Sequence, residues 1–359
     1  MSAEARGARA EVLLAVAQRI RSPSDPLGAE VREALAREGS LSSEGIELAL
    51  REHLETTLDL ARVLAHVGEA PRCHVVLSAN VCTAALRALV LAVLTSPDVI
   101  VRPSRRDPTL AAVLAREAAA ALRSRGATLT LAARLDEEGP VGALEVRPGD
   151  EVHAYGGSAA LDAIRSRLPR GALLRAHGPG FGVAIVGEDL SLEVAAEGLA
   201  RDVIVFDQRG CLSPRVAVVE GGPARALAFA TAVAASLGRA ARTVPRGPLD
   251  LSTRAELSTF ARVARATGEL LEDRDCLVAF DPEPTSLALP PPARALWVVP
   301  GDGREPPVWL DPHRASLTNV GGSPGWRALT HVRRAPLGTM QRPPLDGPVD
   351  YRTRVEVVD

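Results

Sequence analysis

Lysine is missing from this 359-residue chain, so every one of the 42 residues counted as Lys or Arg is arginine. Schiff-base chemistry and a P-loop both require a lysine amine, and both are excluded. Aromatic residues make up 3%, too few for base-stacking platforms, and a formal charge of -2 gives no basic field for counterion release. Nucleic acid is therefore not an expected partner. Residues 1–26 lack the apolar core of a signal peptide, and the most apolar stretch, 75–101, is broken by Asn80, Arg87, Pro97 and Asp98. A cytoplasmic protein with no membrane insertion is expected. The cysteines, at 73, 82, 211 and 276, form no CxxC pair, so neither a metal site nor a disulfide framework is signalled. No GxGxxG follows any strand-like run.

Side-chain amides are nearly absent too. The Ala, Arg, Gly and Pro excess looks like a GC-rich coding bias, against which only Asn80, Asn319, Gln18, Gln208 and Gln341 survive. A residue kept against such a bias is a candidate for a specific task.

What is present organises into an α/β chain. With 46% hydrophobic and 24% charged residues it can bury a sizeable core and reads as two domains rather than one. Apolar positions at helical spacing over 8–20 and 46–67 predict an N-terminal helical layer, residues 1–70. From Cys73 short β-rich runs alternate with helical ones: strands over 74–77, 99–102, 127–132, 152–155 and 173–176, helices over 82–94 and 109–124 and after Ser158. This pattern predicts βαβ units on a parallel sheet, residues 71–175. A second unit, 176–330, holds strands over 183–186, 215–219 and 296–299 and helices over 192–204 and 224–237. Beyond residue 240 the proline-rich segments at 281–307 read as loops between short strands, and the closing segment, 331–359, is loop-like over 342–349 before a strand over 351–358.

A catalytic thiol needs access, a depressed pKa and a nearby oxyanion stabiliser. The glycine-containing turn Arg209-Gly210-Cys211 can supply the first and third. Alone, Cys211 also reads as a small buried hydrophobe at a strand entrance, the reading kept for Cys73, Cys82 and Cys276. Gly156-Gly157-Ser158, between a strand and a helix start, is a natural anion site because unpaired backbone N–H groups point outward there.

Phe206-Asp207-Gln208-Arg209-Gly210-Cys211 followed by Ser213-Pro214-Arg215-Val216 resembles the nucleophile segment of aldehyde dehydrogenases. It is most similar to their acyl-CoA reductase branch, typified by the fatty acid reductase component of bacterial luminescence systems. The resemblance makes Cys211 the nucleophile. Leu77-Ser78-Ala79-Asn80-Val81 resembles the family's Pro-Trp-Asn-Phe segment, implying that Asn80 donates to the developing oxyanion; a helix-capping Asn is the alternative. Val101-Arg102-Pro103-Ser104-Arg105 resembles its Lys-Pro-Ser-Glu cofactor signature. Arg102 stays a ribose donor, while Arg105, with Arg106 beside it, replaces the ribose-binding glutamate. A guanidinium pairs with the 2′-phosphate that an acid repels, which implies NADPH; a solvated arginine run is the alternative. Gly156, Gly157 and Ser158 fall where the family's loop approaches the nicotinamide and pyrophosphate. His177-Gly178-Pro179-Gly180-Phe181-Gly182-Val183-Ala184-Ile185-Val186 resembles Glu-Leu-Gly-Gly-Lys-Ser-Pro-Ala-Ile-Val, whose glutamate activates hydrolytic water. With His177 in that place, acyl transfer to a thiol is favoured over hydrolysis. His177 is then either an acid or base near neutral pH or a loop histidine without that role.

Leu317-Thr318-Asn319-Val320-Gly321, and residues 334–341 with 345–347, resemble the branch's terminal signatures and read as a substrate-side loop and a return to the cofactor domain. The resemblance implies an aldehyde dehydrogenase-like fold: a Rossmann-type NADP-binding domain, 71–175, plus an α/β catalytic thiol domain, 176–330. It implies NADPH-dependent reduction of an acyl-CoA or acyl-protein thioester to an aldehyde. A homo-oligomer or an acyl-transferring partner protein is the expected company. The alternatives are an NADP-dependent aldehyde dehydrogenase, a Cys-His acyl hydrolase using Cys211 and His177, and a non-catalytic homologue serving as a binding subunit.

Overall fold

The computed structural model describes residues 2–132, 145–349, 351–352 and 355–359. Helices form first because the chain supplies caps at the right places. Ser2 accepts a hydrogen bond from Ala5 N to start α1 (Ala3–Arg21). Asp25 caps α2 (Pro26–Glu38), which has Pro at its start and ends on left-handed Gly39. The expected helix over 46–67 is instead α3 (Ser43–His53) and α4 (Leu60–Leu64), because the Asp59 carboxylate accepts from Arg62 N and restarts it. The apolar face of α1 covers α5 (Ala84–Thr95), whose Leu89, Val90 and Val93 are fully buried, and α2 and α3 extend the same core. Each such side chain contributes roughly 1.5–3 kcal/mol.

The β-rich runs pair as two sheets. The first contains β1 (Cys73–Val76), β2 (Asp98–Arg102), β3 (Thr128–Leu131), β4 (Glu151–Tyr155) and β5 (Leu173–His177), with α6 (Thr109–Arg123) and α7 (Ser158–Arg165) as crossovers. Its order is β13-β5-β4-β1-β2-β3, parallel except for β13 (Val355–Val357) at the edge. The second holds β6 (Phe181–Val186), β7 (Pro214–Val219), β8 (Glu269–Asp273), β9 (Cys276–Phe280), β10 (Ala295–Pro300), β11 (Leu317–Gly322) and β12 (Arg333–Ala335). Its order is β12-β11-β6-β7-β10-β9-β8, antiparallel only at β8. Helices α8 (Leu192–Ile204) and α9 (Gly222–Thr243) cover one face and α10 (Leu251–Thr267) the other. This is the α/β class expected. Among the described residues, no helix is long and apolar enough to cross a membrane.

The proline-rich segments over 281–307 are loops on either side of β10, as expected. Ahead of them Asp250 accepts from Thr253 N and starts α10, and a β8–β9 hairpin follows. Two expectations need correction. The supposed substrate-side loop at 317–321 is β11, a buried strand of the second sheet. It is pinned because a Cβ at Gly321 would lie 2.4 Å from Met340 Sδ, leaving room only for glycine. Residues 334–341 start beside the second sheet, where β12 pairs with β11, and 343–347 reach the first unit: Leu345 joins its core and Arg87 of α5 donates to the Pro343, Pro344 and Gly347 carbonyls. The closing strand β13 is shorter than the expected strand over 351–358, of which residues 353 and 354 lie outside the described residues.

The N-terminal layer is tied to the rest through His53, whose Nδ1 is 3.3 Å from the Gln341 carbonyl and whose ring meets Phe206 edge-on at 5.3 Å. Burial first, then Arg342, lowers its pKa from 6.5 to about 4. In the unfolded chain the ring takes a proton below about pH 6.5; in the fold it resists until about 4. Stability is therefore lost as pH falls through that window. We expect the urea midpoint to drop between about pH 7 and pH 5, and His53→Gln, which keeps a donor toward Gln341, to drop less. Equal losses in both proteins would remove His53 as the cause.

Candidate active site

The turn before Cys211 is built from residues in an unfavourable conformation. Phe206, Asp207 and Gln208 all have positive φ (54°, 50° and 64°), and none is glycine. Left-handed backbone costs a side-chain-bearing residue about 1–2 kcal/mol, so the surroundings must hold it there. Asp207 Oδ1 is 2.6 Å from Arg294 Nη2 and 2.8 Å from its Nε, and Asp207 Oδ2 accepts from Gly247 N. Arg294 is fully buried, is itself left-handed (φ 64°), and donates to the Val244 and Pro245 carbonyls. Gln208 completes the lock. Its amide donates to Pro214 O and Ala295 O, each at 2.7 Å, and accepts from Ala295 N at 2.8 Å.

Beyond the turn, a Cβ at Gly210 would lie 2.5 Å from Gln341 Oε1, so a side chain there would displace the Gln341 amide. Gln341 Nε2 donates to the Asp202 carbonyl at the end of α8. Thr318 Oγ1 lies 2.5 Å from the Cys211 carbonyl and 2.9 Å from that of Phe181, donating to one at a time. Asn319 Nδ2 donates to Met340 O and Leu212 O. The terminal segments thus act as a scaffold for the thiol loop.

Cys211 faces a cavity of about 450 Å³ between the two sheets. The chain runs from β1 outward to β2 and β3, then returns to β4 on the other flank of β1. At such a reversal of strand order the loops after neighbouring strands diverge and leave a crevice at their C-terminal ends. The loop after β1 brings Asn80 to it, the loop after β4 brings Gly156 and Gly157, and the end of β5 brings His177. Arg102, Ser104, Arg105 and Ser158 do not line it. Arg102 is buried at the end of β2, Ser104 and Arg105 follow in the next loop, and Ser158 begins α7. Arg106 of that loop does line it.

Several readings are sharpened. Asn80 is exposed to the cavity and does not cap α5, whose start carries no side-chain cap. His177 lies flat against Tyr155, with ring centroids 4.2 Å apart and planes within 2°. Burial, then His153, Arg175 and other cations, lowers its pKa well below the histidine range. These neighbours disfavour its protonated form, while the ring as a whole is half-buried. Cys73, Cys82 and Cys276 are buried away from the cavity, and burial raises each of their pKa values, that of Cys276 to about 11.

Gly157 tests whether a cofactor fits. Its φ and ψ of -71° and 159° suit any residue, and a Cβ there would meet nothing within 4 Å. Neither backbone nor packing requires glycine, so its smallness keeps open the space before α7, where N–H groups favour a phosphate. Sequence reasoning missed Tyr155, Arg215 and the start of α10 as cavity walls. Arg215 carried a signal, being a charge at the head of an otherwise apolar strand.

A family model described as acyl-CoA reductase (LuxC) matches residues 48–281. Among solved structures, the chain is similar to an NAD-dependent benzaldehyde dehydrogenase from Corynebacterium glutamicum, with TM-score 0.64 and 13% identity over 90% of this chain and 76% of that one. It is similar to an oxidoreductase from Marinobacter aquaeolei, with TM-score 0.68 and 10% identity over 99% and 85%. It also resembles aldehyde dehydrogenase 21 from Physcomitrella patens, with TM-score 0.62 and 11% identity over 100% and 88%. At these identities the likeness is one of fold. No curated protein matches the chain.

Asp207→Asn leaves the buried Arg294 without its counter-charge. We expect it to cost about 3–5 kcal/mol by urea denaturation and to slow alkylation of Cys211 in the protein that remains folded. An unchanged alkylation rate together with a loss under about 1 kcal/mol would show that the pair does not hold the turn.

Proposed function

The chain belongs to the acyl-CoA reductase (LuxC) family, whose members are oxidoreductases acting on acyl or aldehyde carbons, and we propose that it reduces an acyl thioester to an aldehyde with NADPH. The observation that carries this reading is the single cavity shared by the Cys211 thiol, the Asn80 amide and the open helix end at Gly157, with a neutral stacked His177 where hydrolytic relatives place a carboxylate.

In this reading the Cys211 sulfur attacks the thioester carbonyl, and the oxyanion accepts hydrogen bonds from the Asn80 side chain and the Cys211 backbone N–H. The bond from the acyl carbon to the carrier sulfur breaks, and the carrier leaves as its thiol. The acyl group stays on Cys211. Because His177 is half-buried, neutral and covered by Tyr155, no carboxylate base draws water onto that acyl-enzyme. A bound reduced nicotinamide dinucleotide supplies the hydride that the acyl carbon requires. Gly156 and Gly157 leave room for its pyrophosphate against the start of α7, and Arg105, in the loop after β2, with Arg102 closing that strand behind it, would serve its 2′-phosphate and ribose. The Cys211–carbon bond then breaks, returning the thiolate and releasing the aldehyde.

Absorbance at the NADPH band with trapping of aldehyde tests this over a panel of acyl-CoAs. Cys211→Ala should abolish reduction, and Asn80→Ala should lower kcat by about 100- to 1,000-fold, with a smaller effect on KM. Reduction of acyl-CoA by Cys211→Ala at the wild-type rate would falsify the scheme. A protein that oxidised aldehyde to free acid without a thiol acceptor, and reduced no thioester, would be an aldehyde dehydrogenase instead.

Gly157→Val separates cofactor from scaffold. Its side chain meets no protein atom at the Cβ, so the thermal midpoint should be close to wild type, whereas NADPH affinity should fall about tenfold or more. Undiminished NADPH binding would place the pyrophosphate elsewhere.

A further inference from the structure

The cavity wall on the catalytic side has a charge pattern that a hydrocarbon chain would not match. Four arginines line the cavity, Arg87, Arg106, Arg209 and Arg215, against one carboxylate, Asp250. Arg87 is neutralised by Glu55 at 3.0 Å and by the carbonyls of Pro343, Pro344 and Gly347. Arg209 is 3.9 Å from Asp207 and donates to the Pro248 carbonyl. Arg106 and Arg215 make no ion pair among the described residues. The Arg215 guanidinium makes a 3.3 Å hydrogen bond from Nη1 to Pro290 O, while its buried Nε has no partner among the described residues. Burial lowers its pKa only to about 10, so it is still a cation at neutral pH. Asp250 caps α10 through Thr253 N and is exposed.

A buried guanidinium with an unmatched N–H is costly unless something accepts from it. Val81, Pro248, Leu249 and Pro292 also line the cavity and suit the methylenes of an acyl chain, but a hydrocarbon end packed on Arg215 would strip water from a cation without replacing it. We propose that Arg215, with Arg106 on the same cavity, is an anion subsite, and that the acyl group reduced at Cys211 ends in a carboxylate. This rests on the thioester reductase reading and narrows it. The planar fork of a guanidinium fits a carboxylate through two parallel hydrogen bonds, which positions the far end of the acyl chain as well as attracting it. A phosphate on the thioester carrier has related chemistry, and the test separates the two.

The first readout needs no turnover. Alkylation of Cys211 by iodoacetamide in the full chain, followed by peptide mass, is measured with glutarate or with glutaramide, its uncharged five-carbon diamide. Glutarate should slow alkylation about threefold or more, Arg215→Gln should remove that protection, and Arg215→Lys should restore part of it. Equal rates with the two compounds overturn the inference whether or not any thioester is reduced. The second readout is kcat/KM with NADPH for glutaryl-CoA against valeryl-CoA. The ratio should favour glutaryl-CoA, and Arg215→Gln should lower the ratio about 30-fold. An unchanged ratio overturns it. The same pair carried on pantetheine lacks the carrier phosphates; a preference that persists supports an anion on the acyl group, and one that vanishes assigns the anion to the carrier and overturns the proposal. If Arg215→Gln does not fold, Arg106→Gln carries the same comparisons. Protection by glutarate without reduction of any thioester would leave the subsite standing and remove the reductase reading.

Discussion

Asp207 and Arg294 meet out of contact with water, and each stands in the left-handed region that a side-chain-bearing residue ordinarily avoids. The pair is more than a contact between two segments. Arg294 precedes β10, whose first residue, Ala295, exchanges two hydrogen bonds with the Gln208 amide, so both unfavourable turns are fixed by one interlocked set of groups. Desolvating two charges costs several kcal/mol, and such a pair is a poor way to gain stability. What it provides is geometry. A turn with three non-glycine residues at positive φ would relax if any neighbour let it, and Cys211 would move with it.

The scaffold around that turn comes from distant parts of the chain, which explains why the closing segment matters to a thiol more than a hundred residues upstream. Thr318, Asn319 and Gln341 each place a polar side chain on a carbonyl within or just before the thiol loop. The Asp202 carboxylate holds the same closing segment by accepting from Gly338 N and Met340 N. Burial raises the pKa of Asp202 to about 7 against those two donors, so its hold on the segment is weaker once protonated. The thiol loop is therefore rigid from below, while its cavity side is left to Asn80, Arg215 and the open end of α7.

Much of this was legible in the sequence, for identifiable reasons. The alternation after Cys73 marked the parallel units because buried parallel strands are short apolar runs and crossover helices are long ones. The scarce amides were a sound guide: Asn80, Asn319, Gln208 and Gln341 all lie in or against the site, since a side-chain amide can donate and accept at once where backbone groups are buried together. What escaped notice follows from weak local signal. Helix α10 does carry a helical period, Leu257, Phe260, Ala261 and Ala264, but two of the four are alanines among arginines and hydroxyl residues, and β8 is an edge strand carrying Glu269, Glu272 and Asp273 without alternation. Residues 317–321 read as a loop from their resemblance to a terminal signature alone; Gly321 and the following Gly322 lie where Met340 and the Ile185 carbonyl approach closely. The Tyr155–His177 stack depends on β4 and β5 being neighbours, which no local pattern states.

The absence of lysine has a structural counterpart. Arg6 donates to the carbonyls of Val67, Gly68 and Leu94; Arg32 to those of Ile20, Arg21 and Gly28; Arg334 to those of Gly325 and Trp326. A planar fork with five N–H groups can gather several backbone acceptors from separate segments, whereas an ammonium is a compact, strongly hydrated point charge. The coding bias that removed lysine thus supplied a residue suited to fastening loops, and the fold uses it that way at the N-terminal layer, at the closing segment and behind the thiol turn. Against that pattern Arg215 stands apart. Its Nη1 touches one carbonyl at 3.3 Å while its Nε stays buried and unmatched, at the wall of the cavity that holds Cys211. Arg225 Nε is likewise buried without a hydrogen-bond partner among the described residues, but Arg225 does not line the cavity; at Arg215 the unmatched N–H belongs to the cavity that Cys211 shares, where an entering acceptor can meet it.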